Sequence, residues 1–460
     1  MMFGKTRHIH LVGIGGSGMS GIAEILASLG FEVTGSDIKE SDNVRRLREL
    51  GCRITIGHSP ENVHGADVVV VSSAIPPDNP EILEAKRLKI PVIPRAEMLA
   101  ELMRMKYSVA IGGTHGKTTT TAMVASVLEA GGLDPTVIDG GKLVSLGSGA
   151  RVGRGDFIVV EADEAYGSIK RISPTIAVVT SIDADHLDYY RDIEDIKETF
   201  LGFVNRVPFY GAAVLCLDHE NVQNLIPRIE RRFITYGVET LADVTAHGIK
   251  YLGPTAVYQV RFRGEPLGEI HLKMPGKHNV QNSLAAVAVG LELEIPFEAI
   301  KRGLEEFKGV HRRFEILGEF KGVLIVDDYA HNPGKLKATF SAARCSYPER
   351  RIVAVFQPHR YQRVKHLAEE FANSFFQTDV LIVTSIYGAG EKPIEGVTGE
   401  NLADSIRERG HRNVTYIPRL EDVVERLMEI VREGDLVITV GAGDVWRVAY
   451  ELRDRLAGEG

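Results

Sequence analysis

Residues 107–130 read YSVAIGGTHGKTTTTAMVASVLEA, and the fold of the whole chain turns on this stretch. Its first six residues are apolar and β-prone, the next six are rich in glycine, and the rest have helical composition. A buried strand running through a tight glycine turn into a helix is a βα unit of a parallel sheet. Within the turn, Gly113, Thr114, His115, Gly116, Lys117 and Thr118 spell GTHGKT, one residue shorter between glycines than GxxxxGK[ST]. The shorter loop keeps the same physics. Glycines let successive backbone N–H groups face an anion, and the helix start adds partial positive charge. Lys117 can reach β- and γ-phosphates, the Thr118 hydroxyl can join a magnesium shell, and Thr119 extends the loop's contacts. A nucleoside triphosphate is the ligand this predicts.

Outward from that loop, the same strand–helix alternation repeats on both sides. Residues 1–106 hold IHLVGIG, FEVTGSD, DVVVVSSAI and IPVIP, separated by amphipathic helical stretches such as MSGIAEILASLG. Residues 107–308 add DFIVVEAD, TIAVVTSID and AAVLCLD. From about Thr240 to Pro275 the apolar period changes to two, which predicts an antiparallel excursion. The helical NVQNSLAAVAVGLEL closes this second unit. Residues 309–460 alternate again through GVLIVDDYA, RIVAVFQPH, DVLIVTSIY, NVTYIP and DLVITVG. The reading is a three-domain α/β protein: a Rossmann-like first domain (1–106), a P-loop ATPase-like mixed-sheet domain (107–308) and a Rossmann-like third domain (309–460).

A triphosphate site needs a metal, and the metal needs ligands. FIVVEAD places Glu161 at the end of a strand expected beside the loop, the position of a Walker-B-type acid. A second strand ends in Asp183, Asp185 and His186. Thr118, Glu161 and His186 are the candidate metal ligands. Near the N-terminus, Gly13, Gly15 and Gly18 satisfy GxGxxG, with Gly16 and Ser17 between them, and Asp37 ends the following strand. Alone this is a dinucleotide fingerprint and raises a nicotinamide oxidoreductase reading. In a chain with a second, better ATP loop, the first suits another diphosphate-bearing ligand.

Together these stretches resemble the Mur ligase family, which assembles peptidoglycan precursors. IGGSGMSG with GSD resembles the family's UDP-binding domain, GTHGKTTTT its ATP loop with the family's own spacing, and EADE and DADHLDYY its metal-binding strands. GKHNVQNSLAA is similar to its adenine-contacting helix, and GVHRRFE, DDYAHNP and QPHRYQR to the motifs of its third domain. The resemblance implies that His278, Asn279, Asn282, Arg313 and Asp328 contact ATP, and that Gly13, Gly15, Gly16, Ser17, Gly18, Asp37 and Ser72 hold the UDP-sugar. It puts Tyr329, His331, Arg360 and Arg363 around an amino acid, and Lys117, His186 and Arg313 at the chemistry. The implied reaction consumes ATP with magnesium (manganese can substitute) to join L-alanine to the carboxylate of UDP-N-acetylmuramate. A close alternative donor is a recycled murein tripeptide. Two departures stand out. Glu164-Ala165-Tyr166 replaces the group's usual Glu-Ser-Asp, and His331-Asn332 replaces a histidine pair. Lys197 falls about where some relatives carry a carbamylated lysine.

The bulk of the chain agrees. Its 460 residues carry a formal net charge of -8 with acids and bases intermixed, which argues against a nucleic-acid partner. Cys52, Cys216 and Cys345 form no metal or disulfide pattern. The start, MMFGKTRHIHLVGIGG, reads as a strand rather than a signal peptide. No apolar run reaches membrane-spanning length, so no membrane partner is expected. A cytoplasmic enzyme, monomer or homodimer, is the reading. An ATPase that couples hydrolysis to movement is the remaining rival class.

Overall fold

The computed structural model describes residues 4–72, 74–138, 150–185 and 189–458. Contacts divide the chain into two compact units. One is Met1–His247 with Gln259–Ile270 and Gln281–Lys308; the other is Gly248–Tyr258 with His271–Val280 and Gly309–Gly460. Three sheets run through the chain, each alternating with helices as the sequence predicts.

The first sheet uses β1 (His8–Val12), α1 (Ser17–Ser28), β2 (Glu32–Asp37), α2 (Asp42–Glu49), β3 (Arg53–Ile56), β4 (Val68–Val71), α3 (Pro80–Arg87), β5 (Val92–Pro94) and α4 (Arg95–Arg104). Its order is β3-β2-β1-β4-β5, parallel throughout. The winding reverses between β1 and β4, which opens a crevice at the carboxyl ends of those strands, where open α/β sheets bind ligands.

The second run contains β6 (Tyr107–Gly112), α5 (Lys117–Ala130), β7 (Thr136–Ile138), β8 (Ala150–Arg151), β9 (Phe157–Glu161), β10 (Ile176–Val179), α6 (Ile193–Asn205), β11 (Ala212–Cys216), α7 (Glu220–Gln223) and β12 (Phe233–Gly237). It continues through β13 (Val244–Leu252), β14 (Thr255–Phe262), β15 (Glu265–Leu272), α8 (Lys277–Glu292) and α9 (Phe297–Glu305). The sheet order is β15-β14-β13-β12-β11-β10-β6-β9-β7-β8. β13, β14 and β15 are consecutive neighbours joined by short turns, the excursion read from the period-two pattern. β6 sits between β10 and β9, with Gly112 level with Val179 and Ile111 level with Glu161. Both acid-bearing strands therefore end beside the loop that follows β6. In this first unit Ile9, Leu11, Val160, Ala177 and Phe200 belong to one apolar core.

The third sheet contains β16 (Glu315–Phe320), β17 (Val323–Asp328), α10 (Pro333–Ser346), β18 (Arg351–Phe356), α11 (Tyr361–His366), α12 (Ala368–Ala372), β19 (Val380–Val383), α13 (Gly399–Glu408), β20 (Val414–Tyr416), α14 (Leu420–Ile430), β21 (Asp435–Val440) and α15 (Trp446–Ala457). The order is β16-β17-β21-β18-β19-β20, with only β16 antiparallel to its neighbour. Along β17, Leu324 and Val326 enter one core while Val323 and Ile325 enter another. Strand alternation thus feeds an apolar layer on each face of the sheet. Among the described residues no helix is long and apolar enough to cross a membrane.

Candidate active site

The loop after β6 is shaped by two glycines that nothing else could replace. Gly113 (φ +136°) and Gly116 (φ +80°) have left-handed backbones. A Cβ on Gly113 would stand 2.0 Å from the Thr180 hydroxyl, and one on Gly116 2.5 Å from the Asn282 side chain. The rest of the loop is laced to the strand end beside it. Thr114 N donates to Ser181 O (2.9 Å), His115 N to Ser181 Oγ (2.9 Å), and Asp183 N to Thr114 Oγ1 (2.9 Å). His115 Nε2 lies 3.2 Å from Asp183, and that histidine holds the Asp183 carboxyl below its usual range against the pull of burial.

Inside this frame Lys117 is fully engaged. Its ammonium donates to Gly113 O (2.6 Å) and to both oxygens of Glu164 (3.0 and 2.7 Å). Only 12% of the lysine side chain and 4% of the glutamate side chain are exposed. Burial works against the lysine's charge, but Glu164, Asp163 and Glu161 outweigh it and raise its pKa. Tyr190 fixes Glu164 in turn, donating its hydroxyl to the Glu164 carbonyl (2.7 Å). The sequence quoted Glu164 within EADE but gave no sign that it would be the lysine's counterion. The departure that follows it, Ala165-Tyr166, opens a short 3-10 segment, Ala165–Arg171, with Ala165 N donating to Asp163.

Thr118 and Glu161 meet: the threonine hydroxyl donates to Glu161 Oε2 at 2.9 Å. Two oxygens at that spacing fit adjacent corners of a magnesium octahedron, whose 2.0–2.1 Å bonds set an edge of about 3.0 Å. His186, the third expected ligand, lies outside the described residues. Thr119 is buried in the first turn of α5. Asn282 stands against Gly116, whereas His278 and Asn279 lie one turn earlier on α8. Asn279 donates to Pro275 O (2.7 Å), and burial drives the His278 pKa down to about 4, so that ring is neutral. Lys197, on α6, is paired with Glu194 at 2.8 Å.

The N-terminal loop is held differently. Gly13 N and Ile14 N both donate to Ser36 O (2.9 and 3.0 Å), and Gly15 N to the Asp37 carboxylate (2.8 Å). Gly16 caps α1, and Ser17 and Gly18 lie in its first turn; the Ser17 side chain is outside the described residues. Ser72, at the end of β4, packs toward Gly13. Beneath the loop lies a group that no motif announced. Glu81, with none of its side chain exposed, accepts from Ser36 Oγ (2.6 Å) and Asn62 Nδ2 (2.5 Å), with His58 and His10 at 3.4 and 3.6 Å. Although burial opposes it, these partners lower its pKa to about 2. The run Asn79-Pro80-Glu81 reads as an ordinary helix start, which is why the sequence concealed this role.

In the second unit, β17 ends at Asp328, whose two oxygens accept from Phe314 N and Ala330 N (both 2.7 Å). Burial raises its pKa while Arg313 opposes the rise. The carboxylate the resemblance assigned to ATP is thus a tie for the HRRF segment. Arg312 and Arg313 both lie over the Tyr329 ring, at 4.9 and 5.3 Å from its centroid. Arg312, unremarked in the sequence, bonds Asp327 (3.0 Å) and Gly441 O (2.6 Å). His331 Nδ1 is 2.7 Å from Tyr329 O and so must carry the proton there; burial, Lys335 and Arg363 keep its pKa well below the usual value. Asn332, the second departure, caps α10 by accepting from Lys335 N (2.9 Å), with Pro333 at the first helical position. The substitution is thereby explained locally, because asparagine is a favoured cap. After β18, His359 stacks on Tyr387 at 5.6 Å and 7°, and Arg363 donates to His359 (3.2 Å). Arg360 N donates to Tyr387 O, and Arg360 holds a left-handed backbone at φ +66°. Strain of that kind persists only where the surrounding structure over-determines the backbone. Of the four residues the resemblance puts around an amino acid, Tyr329 lies against His331, and Arg360 and Arg363 stand near His359, which in turn lies against His331 and Tyr387.

Three domain models match in succession: "Mur ligase family, catalytic domain" over residues 8–107, "Mur ligase middle domain" over 111–290 and "Mur ligase, glutamate ligase domain" over 312–443. The chain belongs to the Mur ligase family. Among its relatives, the UDP-N-acetylmuramate–L-alanine ligase of Geotalea uraniireducens is 55% identical over 458 residues, covering 100% of both chains. That of Desulfatibacillum aliphaticivorans is 57% identical over 447 residues, covering 97% of this chain and 98% of its own. The crystal structure of the Thermotoga maritima UDP-N-acetylmuramate–alanine ligase superposes with a TM-score of 0.83 at 30% identity, covering 98% of this chain and 100% of that one. A murein peptide ligase from Psychrobacter arcticus shares the fold at 22% identity and a TM-score of 0.70. As a Mur ligase the protein is an ATP-dependent ligase of three α/β domains, and the oxidoreductase reading of its first glycine loop is set aside.

Proposed function

We propose that this Mur ligase joins L-alanine to the carboxylate of UDP-N-acetylmuramate, at the expense of ATP, in the cytoplasmic synthesis of peptidoglycan precursors. The observation that carries the reading is the Lys117–Thr118–Glu161 arrangement in a chain more than half identical, end to end, to ligases of that name. We assign the domains to residues 1–106 for the UDP-sugar, 107–308 for ATP and 309–460 for the amino acid.

A carboxylate does not expel oxide, so it must be activated. The γ-phosphoryl group passes to a carboxylate oxygen and ADP leaves. The L-alanine amine attacks the carbonyl carbon, the carbon–oxygen bond to phosphate breaks, and phosphate departs with the former carboxylate oxygen and the proton the amine gives up. Lys117 exchanges its contacts to Gly113 and Glu164 for phosphate oxygens and neutralises charge on the group in transit. Thr118 and Glu161, with His186, would hold magnesium, which supplies further charge neutralisation when bound. Arg360 and Arg363 receive the amino-acid carboxylate as charge-assisted donors. The rings of His331 and His359, kept neutral by burial and by Arg363, add no further positive charge beside those arginines.

Phosphate release by the purified protein with ATP and magnesium tests this. Release that requires both UDP-N-acetylmuramate and L-alanine is the expected outcome. Release with the murein tripeptide in place of L-alanine would transfer the protein to the recycling ligases.

A further inference from the structure

Arg95 is the first residue of α4, at the carboxyl end of β5. Its side chain lies along the first turn of α1: Nη1, Cζ and Cδ stand 2.7, 3.2 and 3.4 Å from where a Cβ on Gly18 would be. In a dinucleotide fingerprint the third glycine usually admits close packing of helix on strand. Here the atoms nearest that position all belong to Arg95, so this glycine clears a guanidinium.

Among the described residues the Arg95 side chain makes no hydrogen bond, ion pair or ring contact. The acid closest to it in sequence, Glu97, is paired with Arg171 (3.2 Å), and Asp37 is committed to Gly15 N. Arg95 is nonetheless half-buried, in a chain whose acids outnumber its bases 62 to 54. Its place is also poor for stability. A cation in the first turn opposes the helix dipole, and Pro94 offers α4 no side-chain cap. A group set against its local electrostatics with no partner has the marks of a residue kept for a ligand.

The sheet order says where that ligand would lie. The crevice opens between β1 and β4, with the glycine loop on the β1 side and Arg95 reaching over from β5. We propose that Arg95 is a substrate-binding residue whose guanidinium receives the diphosphate of the nucleotide sugar at the glycine loop. The inference rests on the UDP-sugar reading of the first domain. A guanidinium fork suits two phosphate oxygens at once, better than it suits a uracil or a sugar hydroxyl.

The test uses Arg95→Met, which keeps the apolar stem, and Arg95→Lys, which keeps the charge. Calorimetric titration with UDP, and the KM for UDP-N-acetylmuramate, are the readouts. Arg95→Met should weaken both by about ten- to hundredfold, the range of a lost charged hydrogen bond. Arg95→Lys should recover part of the loss, while KM for ATP and for L-alanine stays put. Thermal unfolding without ligand should be unchanged or slightly raised in Arg95→Met, and UDP should stabilise it far less than wild type. If wild type binds UDP and a folded Arg95→Met binds it equally well, the proposal is overturned. If wild type binds neither UDP nor the UDP-sugar, the reading of the first domain itself falls. Gly18→Ala, which pushes the guanidinium aside without removing it, should weaken UDP in the same direction; unaltered binding there also counts against the proposal.

Discussion

Two glycine loops, each joining a parallel strand to a helix, lie in the first unit of this Mur ligase, and they are furnished for different work. Around Gly13–Gly18 the acceptors Ser36 O and Asp37 take loop amides, and the loop contains no lysine. Around Gly113–Thr118 a lysine, a threonine hydroxyl and the acids Glu161 and Glu164 converge within hydrogen-bonding distance. The glycine spacing specifies a turn that admits phosphate. The side chains facing the turn decide whether phosphate is only held or also transferred.

Breaking the second loop should cost the most. Lys117→Ala is expected to lower turnover by about a thousandfold or more, the scale of losing the main charge on a transferring phosphoryl group, while UDP binding persists by calorimetry. Near-normal turnover would erase the distinction between the loops. Glu161→Gln should follow, with turnover down about a hundredfold and the magnesium requirement shifted upward; the magnesium dependence of phosphate release is the measurement.

The first loop should break through substrate affinity instead. Glu81→Gln sets an amide among donors that now face a carboxylate. It should raise KM for UDP-N-acetylmuramate about tenfold with kcat little changed, and cost about 1–3 kcal/mol in urea unfolding. An equal loss in KM for ATP would show a merely global effect.

The smallest effect is one of pH. His359, whose pKa burial and Arg363 lower to about 4, is neutral when folded but titrates near 6.5 when unfolded. Between about 6.5 and 4 the unfolded chain binds a proton that the folded chain does not, so stability falls as pH drops across that window and levels off below it. His359→Asn should reduce that slope by one proton, leaving the contributions of His278 and His331. Unfolding midpoints measured from pH 7 to pH 4 decide it.

Much of this was legible in the sequence because strand ends and glycine turns are local patterns. The position of Glu161 beside the ATP loop followed from four apolar residues and an acid, and its register with Ile111 bears that out. What stayed hidden depended on residues distant in sequence. Glu164 meets Lys117 across 47 positions and Glu81 meets Ser36 across 45; EADE marks Glu164 without naming its cation, and Glu81 occupies no distinctive local pattern. Asn332 looked like a lost histidine until α10 showed it as a cap.

The account stands on carboxylate activation by this ATP loop. UDP-N-acetylmuramate labelled with ¹⁸O in its carboxylate, turned over with ATP and L-alanine, tests it directly by mass spectrometry of the released phosphate. One labelled oxygen in phosphate for each amide formed is the expected result. Amide formation with unlabelled phosphate would contradict it.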